Sequence, residues 1–310
     1  MPTRDQLLAL NDELRRLKAG GQRAVAVTEE SLAQLRESVA ASGSEAVASA
    51  APAPVAVPIM TFSTESRNEP APRVPAPSAP SLPAPPPINL PEGDKPARWN
   101  HLRELVLHDS VCRARVFAGK QVVFGVGNLD AAVMFVGEAP GGDEEDQGEP
   151  FVGRAGQLLN RMIKAMGLER SQVYIGNILN WRPEMGTRNA DGSQTGNRPP
   201  TAAEMSYCLP FIRAQIAIIQ PKVLVALGKT AVDGLLGADR FKTMGAARGT
   251  WHSYADKPLR ASYHPSYLLR QEGLTSASAK KIKRDAWEDL LAVMERAELP
   301  VTEKQRNYFR

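Results

Sequence analysis

From residue 131 onward, short continuous apolar runs alternate with stretches of helical spacing. The runs are AAVMFVG (131–137), VYIGNIL (173–179), KVLVALG (222–228) and LRASYH (259–264); the helical patterns fall at 153–167, 201–219, 229–236 and near 277–297. Apolar runs of that length without polar alternation predict strands buried on both faces. Strand alternating with helix predicts an α/β fold with a parallel sheet covered on both sides. Ligands of such sheets sit beyond the carboxyl ends of the strands. Three of the four runs end there in residues with chemistry to offer, Glu138, Asn177 and His264.

The first hundred residues follow a different pattern. TRDQLLALNDELRRLK (3–18) places Leu7, Leu8, Leu10, Leu14 and Leu17 at mostly helical spacing behind Thr3, a candidate cap, and a second short helical run covers 28–40. Between 51 and 98 lie 14 of the chain's 25 prolines, amid Ala, Ser and Val. Such a segment cannot bury enough apolar surface to order itself, and proline stiffens it into a spacer. The expected organisation is an N-terminal helical segment (1–40), a disordered Pro/Ala-rich linker (41–98) and a folded domain (99–310). The N-terminal helix reads as a docking or self-association element, so a protein partner for the arm is expected.

Charge sharpens this division. The 310-residue chain carries a formal +4, and residues 99–310 hold 28 Lys/Arg against 23 Asp/Glu, whereas residues 1–98 hold 10 against 11. The positive excess belongs to the folded part and admits a polyanionic partner. Two cysteines, Cys112 and Cys208, suit a reducing compartment. No apolar run reaches the length of a membrane span and no signal-peptide core is present, so a soluble, cytoplasmic protein without a membrane partner is expected.

The segment VMFVGEAPGGDEEDQGEPFVGRAG (133–156) concentrates the candidate chemistry. Its acidic block is bracketed by Gly137, Gly141, Gly142 and Gly148, which let the backbone turn sharply and another molecule approach. A nucleotide-binding reading of the glycine loop is weak, because acid rather than Lys and Ser/Thr follows the glycines. His264 precedes Pro265, which keeps it out of helical geometry. Each candidate also has a bland reading: His264 as a structural histidine, Asn177 as a turn cap, Glu138 as a solvated carboxylate, Phe151 as core. Together, an aromatic ring, an amide, a histidine and a carboxylate are what a pocket for a flipped nucleobase requires.

FVGEAPGGDEEDQGEPFVGRAGQLLNRMI, VYIGNILNWRP, NRPPTAAEMSYC, PKVLVALGKTA and YHPSYLLR resemble, in order and spacing, the successive motifs of family 4 uracil-DNA glycosylases, over residues 108–295. The resemblance implies a three-layer αβα domain with a four-stranded parallel sheet. It also implies hydrolysis of the N-glycosidic bond of deoxyuridine in DNA, leaving an abasic site. Asn177 would then accept from uracil N3–H and donate to O4, and Phe151 would stack on the base. His264 would donate to O2 as negative charge develops there. Glu138, with the backbone around Ala139, would line the place of the attacking water, and Glu144 matches an acidic position beside the base. Ser266 and Arg270 are candidate phosphate contacts, as is the KKIKR run (280–284); Tyr267 or Leu268 is a candidate wedge.

One departure concerns a cofactor. Members of that family typically hold a [4Fe–4S] cluster on four cysteines. Here Asp109 and Trp181 stand at two of those positions, while Cys112 and Cys208 remain. Two thiolates cannot supply the usual cage, so the expectation is no cofactor, the cluster having been lost. A polar insertion (184–196) is expected to be a mobile loop. The competing function is a non-catalytic DNA-binding or partner-tethering module on the same scaffold.

Overall fold

A computed structural model describes residues 82–309, apart from 187, 188, 190–192 and 275. The helices expected at 3–18 and 28–40 and the linker up to residue 81 lie outside the described residues. All four apolar runs are strands: β2 (Val133–Gly137), β3 (Tyr174–Asn177), β4 (Val223–Leu227) and β6 (Lys257–Ser262). They pair in parallel in the order β3-β2-β4-β6. The sheet has six strands rather than the expected four, because β1 (Val126–Gly127) and β5 (Trp251–Tyr254) add antiparallel edges. Neither was legible. Two residues carry no periodicity, and the β5–β6 hairpin turns on Ala255 and Asp256, both at positive φ, without the Asn-Gly or Asp-Gly signal that usually marks such a turn.

The strand alternation sends side chains into two cores. On one face Met134, Val136, Leu224 and Ala226 meet α1 (Lys95–Leu107), α5 (Ala202–Ile219) and α6 (Lys229–Leu236). On the other, Val133, Phe135, Val223 and Val225 meet α4 (Arg154–Ala165) and α9 (Ala277–Arg296). Short helices complete the chain: α2 (Ser110–Ala114), α3 (Gly142–Gln147), α7 (Met244–Ala247), α8 (Pro265–Leu269) and α10 (Glu303–Arg306). β6 is tied to α9 by a buried ion network. Asp289, fully buried on α9, accepts from Arg260 Nε on β6 at 2.9 Å and from Arg248 Nε at 3.0 Å. Among the described residues no helix is long and apolar enough to cross a membrane.

The folded part begins before residue 99. Asp94 caps α1 by accepting from the Ala97 amide at 2.9 Å, and Lys95 Nζ donates to the carbonyls of Leu129 and Ile219 at 3.1 Å. Leu82, Ile88 and Leu90 pack against the α1/α5 core. Composition hides this, since a proline-rich stretch laid along a surface looks like a free spacer. The expected outcome is that a chain starting at residue 82 matches the full-length protein in urea denaturation. A chain starting at residue 99 loses the cap, the first helical turn and the three apolar anchors, and should be less stable by about 3–5 kcal/mol.

Candidate active site

The carboxyl ends of β2, β3, β4 and β6 open onto one cavity of about 540 Å³, within the size range of small-molecule sites. β2 and β3 are in register so that Gly137 pairs with Asn177, and the chain beyond stays bound as Ile178 and Leu179 donate to the carbonyls of Gly137 and Glu138 at 3.0 Å. This fixes the Asn177 amide at the cavity floor. Asn177 is 6% exposed, and its Oδ1 is a buried acceptor with no partner. Gly137 is required beside it. A Cβ there would lie 2.5 Å from Asn177 Oδ1 and from the Phe151 ring.

Phe151 is held in place by its backbone. It adopts φ +54, a left-handed conformation that is uncommon for a bulky residue. Arg170 keeps it there, donating to the carbonyls of Phe151 (3.2 Å) and Pro150 (2.6 Å) and to Asn160 Oδ1 (3.0 Å). Backbone strain held by surrounding contacts is a common feature of functional sites. The ring lies 5.6 Å from the His264 ring, at an interplanar angle of 31°.

His264 lies two residues past β6 and caps α8. Its Nδ1 accepts from the Ser266 amide at 3.1 Å, so the proton of the neutral ring resides on Nε2. Burial, and next the charge of Arg270, push its pKa down from 6.5 to about 4. The imidazole is thus a neutral donor. Gly228, at φ +88, lies against it; a Cβ there would come within 2.9 Å of the His264 Cβ.

Glu138 also lines the cavity, and burial raises its pKa. Its Oε2 accepts from Thr230 Oγ1 at 2.7 Å. Glu144 lines the cavity too, but its oxygens are taken up by the loop. Oε2 accepts from Gly141 N at 3.0 Å, and Oε1 from Val152 N (3.0 Å) and Gly153 N (2.9 Å). Ala139, Ser266, Tyr267 and Arg270 border the same space. Arg270 stacks on Tyr267 (5.6 Å), which faces Tyr263 (5.2 Å). Leu268 differs from the rest of its motif. It is 6% exposed and lines a separate, mostly apolar cavity of about 290 Å³ between α4 and α9, which leaves Tyr267 as the wedge candidate at the site.

Sequence reading passed over several residues here. Thr230 and Gly228 follow β4, the one strand end set aside, although the strand-end rule applied to it equally. Arg182 also gave no sign of its role. It pairs with Glu145 at 2.8 Å, both side chains 9% exposed, and donates to Asn197 and to the carbonyls of Gln194 and Gly196. Those bonds pin the feet of the 184–196 insertion, whose exit residues Asn197 and Arg198 border the cavity.

The four positions compared with cluster ligands lie elsewhere, around α2 and α5. Asp109 accepts from the Cys112 amide at 2.8 Å and from the Tyr207 hydroxyl at 2.9 Å. Trp181, 1% exposed, packs 6.2 Å from Tyr207. Cys112 and Cys208 are fully buried, and the contact with Cys208, followed by burial, pushes the Cys112 thiol strongly up. Among the described residues no group of three or more His, Cys, Asp or Glu could hold a metal ion.

Residues 124–291 match the model of the uracil DNA glycosylase superfamily. The chain is 37% identical over 169 residues to a type-4 uracil-DNA glycosylase of Thermotoga maritima, covering 54% of this chain and 79% of that one. It is 33% identical over 187 residues to a type-4 uracil-DNA glycosylase of Pyrobaculum aerophilum, covering 58% and 89%. A type-5 uracil-DNA glycosylase of the same organism is 31% identical over 170 residues, covering 53% and 74%.

The His264 environment makes a pH prediction. Its folded pKa lies below the unfolded value, so the neutral ring's contribution to stability is complete above about pH 6.5 and is lost as pH falls toward 4. Ring resonances of His264 followed by NMR should stay flat from about pH 8 to 5.5 and titrate with a midpoint near 4.

Proposed function

The chain belongs to the uracil DNA glycosylase superfamily, and from that premise we infer that it removes uracil from DNA by hydrolysing the N-glycosidic bond of deoxyuridine, leaving an abasic site. The observation that carries this reading is the unpartnered Oδ1 of Asn177 on a cavity floor beside an aromatic ring. A buried acceptor left unpaired costs about 1–3 kcal/mol, and uracil N3–H meets it. Cytosine offers a lone pair at that position and is rejected.

The residue roles follow from donor and acceptor chemistry. Phe151 stacks on the flipped base, a contact worth about 1–3 kcal/mol. The Nε2–H of His264 donates to O2 as the C1′–N1 bond breaks; a neutral imidazole serves here because the charge it meets forms only in the transition state. Glu138 is the base for the attacking water. Burial raises its pKa toward working pH, which favours a base. Glu144 holds the loop that carries Phe151 and borders the place of the base. Ser266 fixes the His264 tautomer, and Arg270 and Tyr267 face the DNA. The N-terminal arm is proposed to tether a protein partner, and the reducing cytoplasm is the proposed compartment.

The residues at the former cluster positions do not fit a [4Fe–4S] group. Trp181 has no lone pair for iron, Asp109 is engaged by an amide and a hydroxyl, and Cys112 and Cys208 supply two thiolates where four are usual. We infer that apolar packing has replaced the cluster and that no step of the reaction involves it.

The primary test incubates the purified protein with an oligonucleotide containing one uracil, then cleaves abasic sites with alkali. Strand scission at the uracil is expected, and its absence at any enzyme concentration would leave a DNA-binding module. His264→Ala should slow excision by about 100- to 1,000-fold with DNA affinity nearly unchanged. Asn177→Asp should weaken selectivity for uracil as well as rate. Protein prepared anaerobically should be colourless and free of stoichiometric iron while fully active; four irons per chain would contradict the packing account.

A further inference from the structure

β2 and β4 are parallel neighbours, and their carboxyl ends deliver Glu138 and Thr230 to one spot. Thr230 is the second residue of α6, and its β-branched side chain has a restricted χ1. A hydroxyl carries one hydrogen, and at 2.7 Å from Glu138 Oε2 that hydrogen is committed to the carboxylate. We propose that Thr230 is a positioning residue for Glu138, binding one carboxylate oxygen so that the other faces the water that attacks the sugar. This rests on the reading of Glu138 as the base.

The surroundings make this one bond decisive. Burial disfavours the ionised carboxylate, and the Thr230 hydroxyl opposes that effect. The other charged or titratable groups that line the cavity have partners of their own. Glu144 holds loop amides, Arg198 pairs with Glu204, and Lys229 pairs with Asp233. His264 is neutral and bound to Ser266, and Arg270 lies over Tyr267. In the step itself, the water oxygen bonds to C1′ while its proton passes to Glu138 Oε1. The C1′–N1 electron pair leaves on uracil, where His264 Nε2–H bonds O2. The ionised form required of Glu138 is the one the Thr230 hydroxyl stabilises.

The test measures single-turnover excision against pH, together with DNA affinity, for Thr230→Val, Thr230→Ser and Glu138→Gln. Thr230→Val keeps the shape and removes the donor. Its acid limb should move up by about one pH unit, so that the loss is about 10-fold larger below the limb than on the plateau. DNA affinity should stay unchanged, and Thr230→Ser should restore the wild-type limb. If Thr230→Val does not fold, Thr230→Ala is read by the same criteria. A weakened DNA affinity with an unmoved limb would make Thr230 a DNA contact and overturn the proposal. So would an unmoved limb in Thr230→Val while Glu138→Gln is inactive, which leaves the base assignment standing. Full activity of Glu138→Gln would remove the base assignment itself, and this proposal with it.

Discussion

The site depends on one carboxylate that binds its own loop. Glu144 gathers the amides of Gly141, Val152 and Gly153 onto its two oxygens, closing the loop between β2 and α4 into a rigid wall. Charge-assisted hydrogen bonds of this kind are each worth about 1.5–3 kcal/mol. That closure acts with Arg170 in holding the loop that carries Phe151. The next residue in sequence, Glu145, pairs with Arg182 and so ties the same loop to the insertion. An acidic block that looks like solvated surface therefore works as an internal clasp.

The sheet supplies the second half of the geometry. Four parallel strands end on one side, so an amide, a carboxylate, a hydroxyl and an imidazole converge within three residues of those ends. Parallel pairing of β2 with both β3 and β4 sets the spacing of Asn177, Glu138 and Thr230. β6 brings His264, and the Asp289 network with Arg260 and Arg248 holds that strand against α9. The groups aimed at the cavity are short side chains on rigid elements, which favours preorganisation over adjustment.

The parallel strands and the long helices were legible in the sequence because burial imposes its period over whole turns and whole strands. β1, β5 and the small helices were not, since two to six residues leave too little pattern to read. Glu138, Asn177 and His264 stood out by ending strands. Thr230 lies three residues past β4 and is a common helix residue, so its bond to Glu138 emerges only when β4 is placed beside β2. Arg170 and Arg182 looked like surface charge; their roles come from carbonyls close in space, and Arg170 reaches back 19 and 20 residues to Phe151 and Pro150. Residues 82–94 misled in the opposite way, because extended chain lying on a core and extended chain in solvent share one composition.

Phe151 shows how narrowly such a site constrains its own variation. The backbone at φ +54 suits glycine or asparagine, whereas the proposed stacking on the base calls for a large flat ring. Residues that would relax the chain remove the stacking surface. Tyrosine and tryptophan keep the surface and inherit the strain, and β-branched residues satisfy neither demand. Substitutions that raise stability and those that preserve activity thus form nearly separate sets at this position. Selection for a more robust fold would work against the enzyme here, and stabilising changes are to be sought in the cores far from this loop.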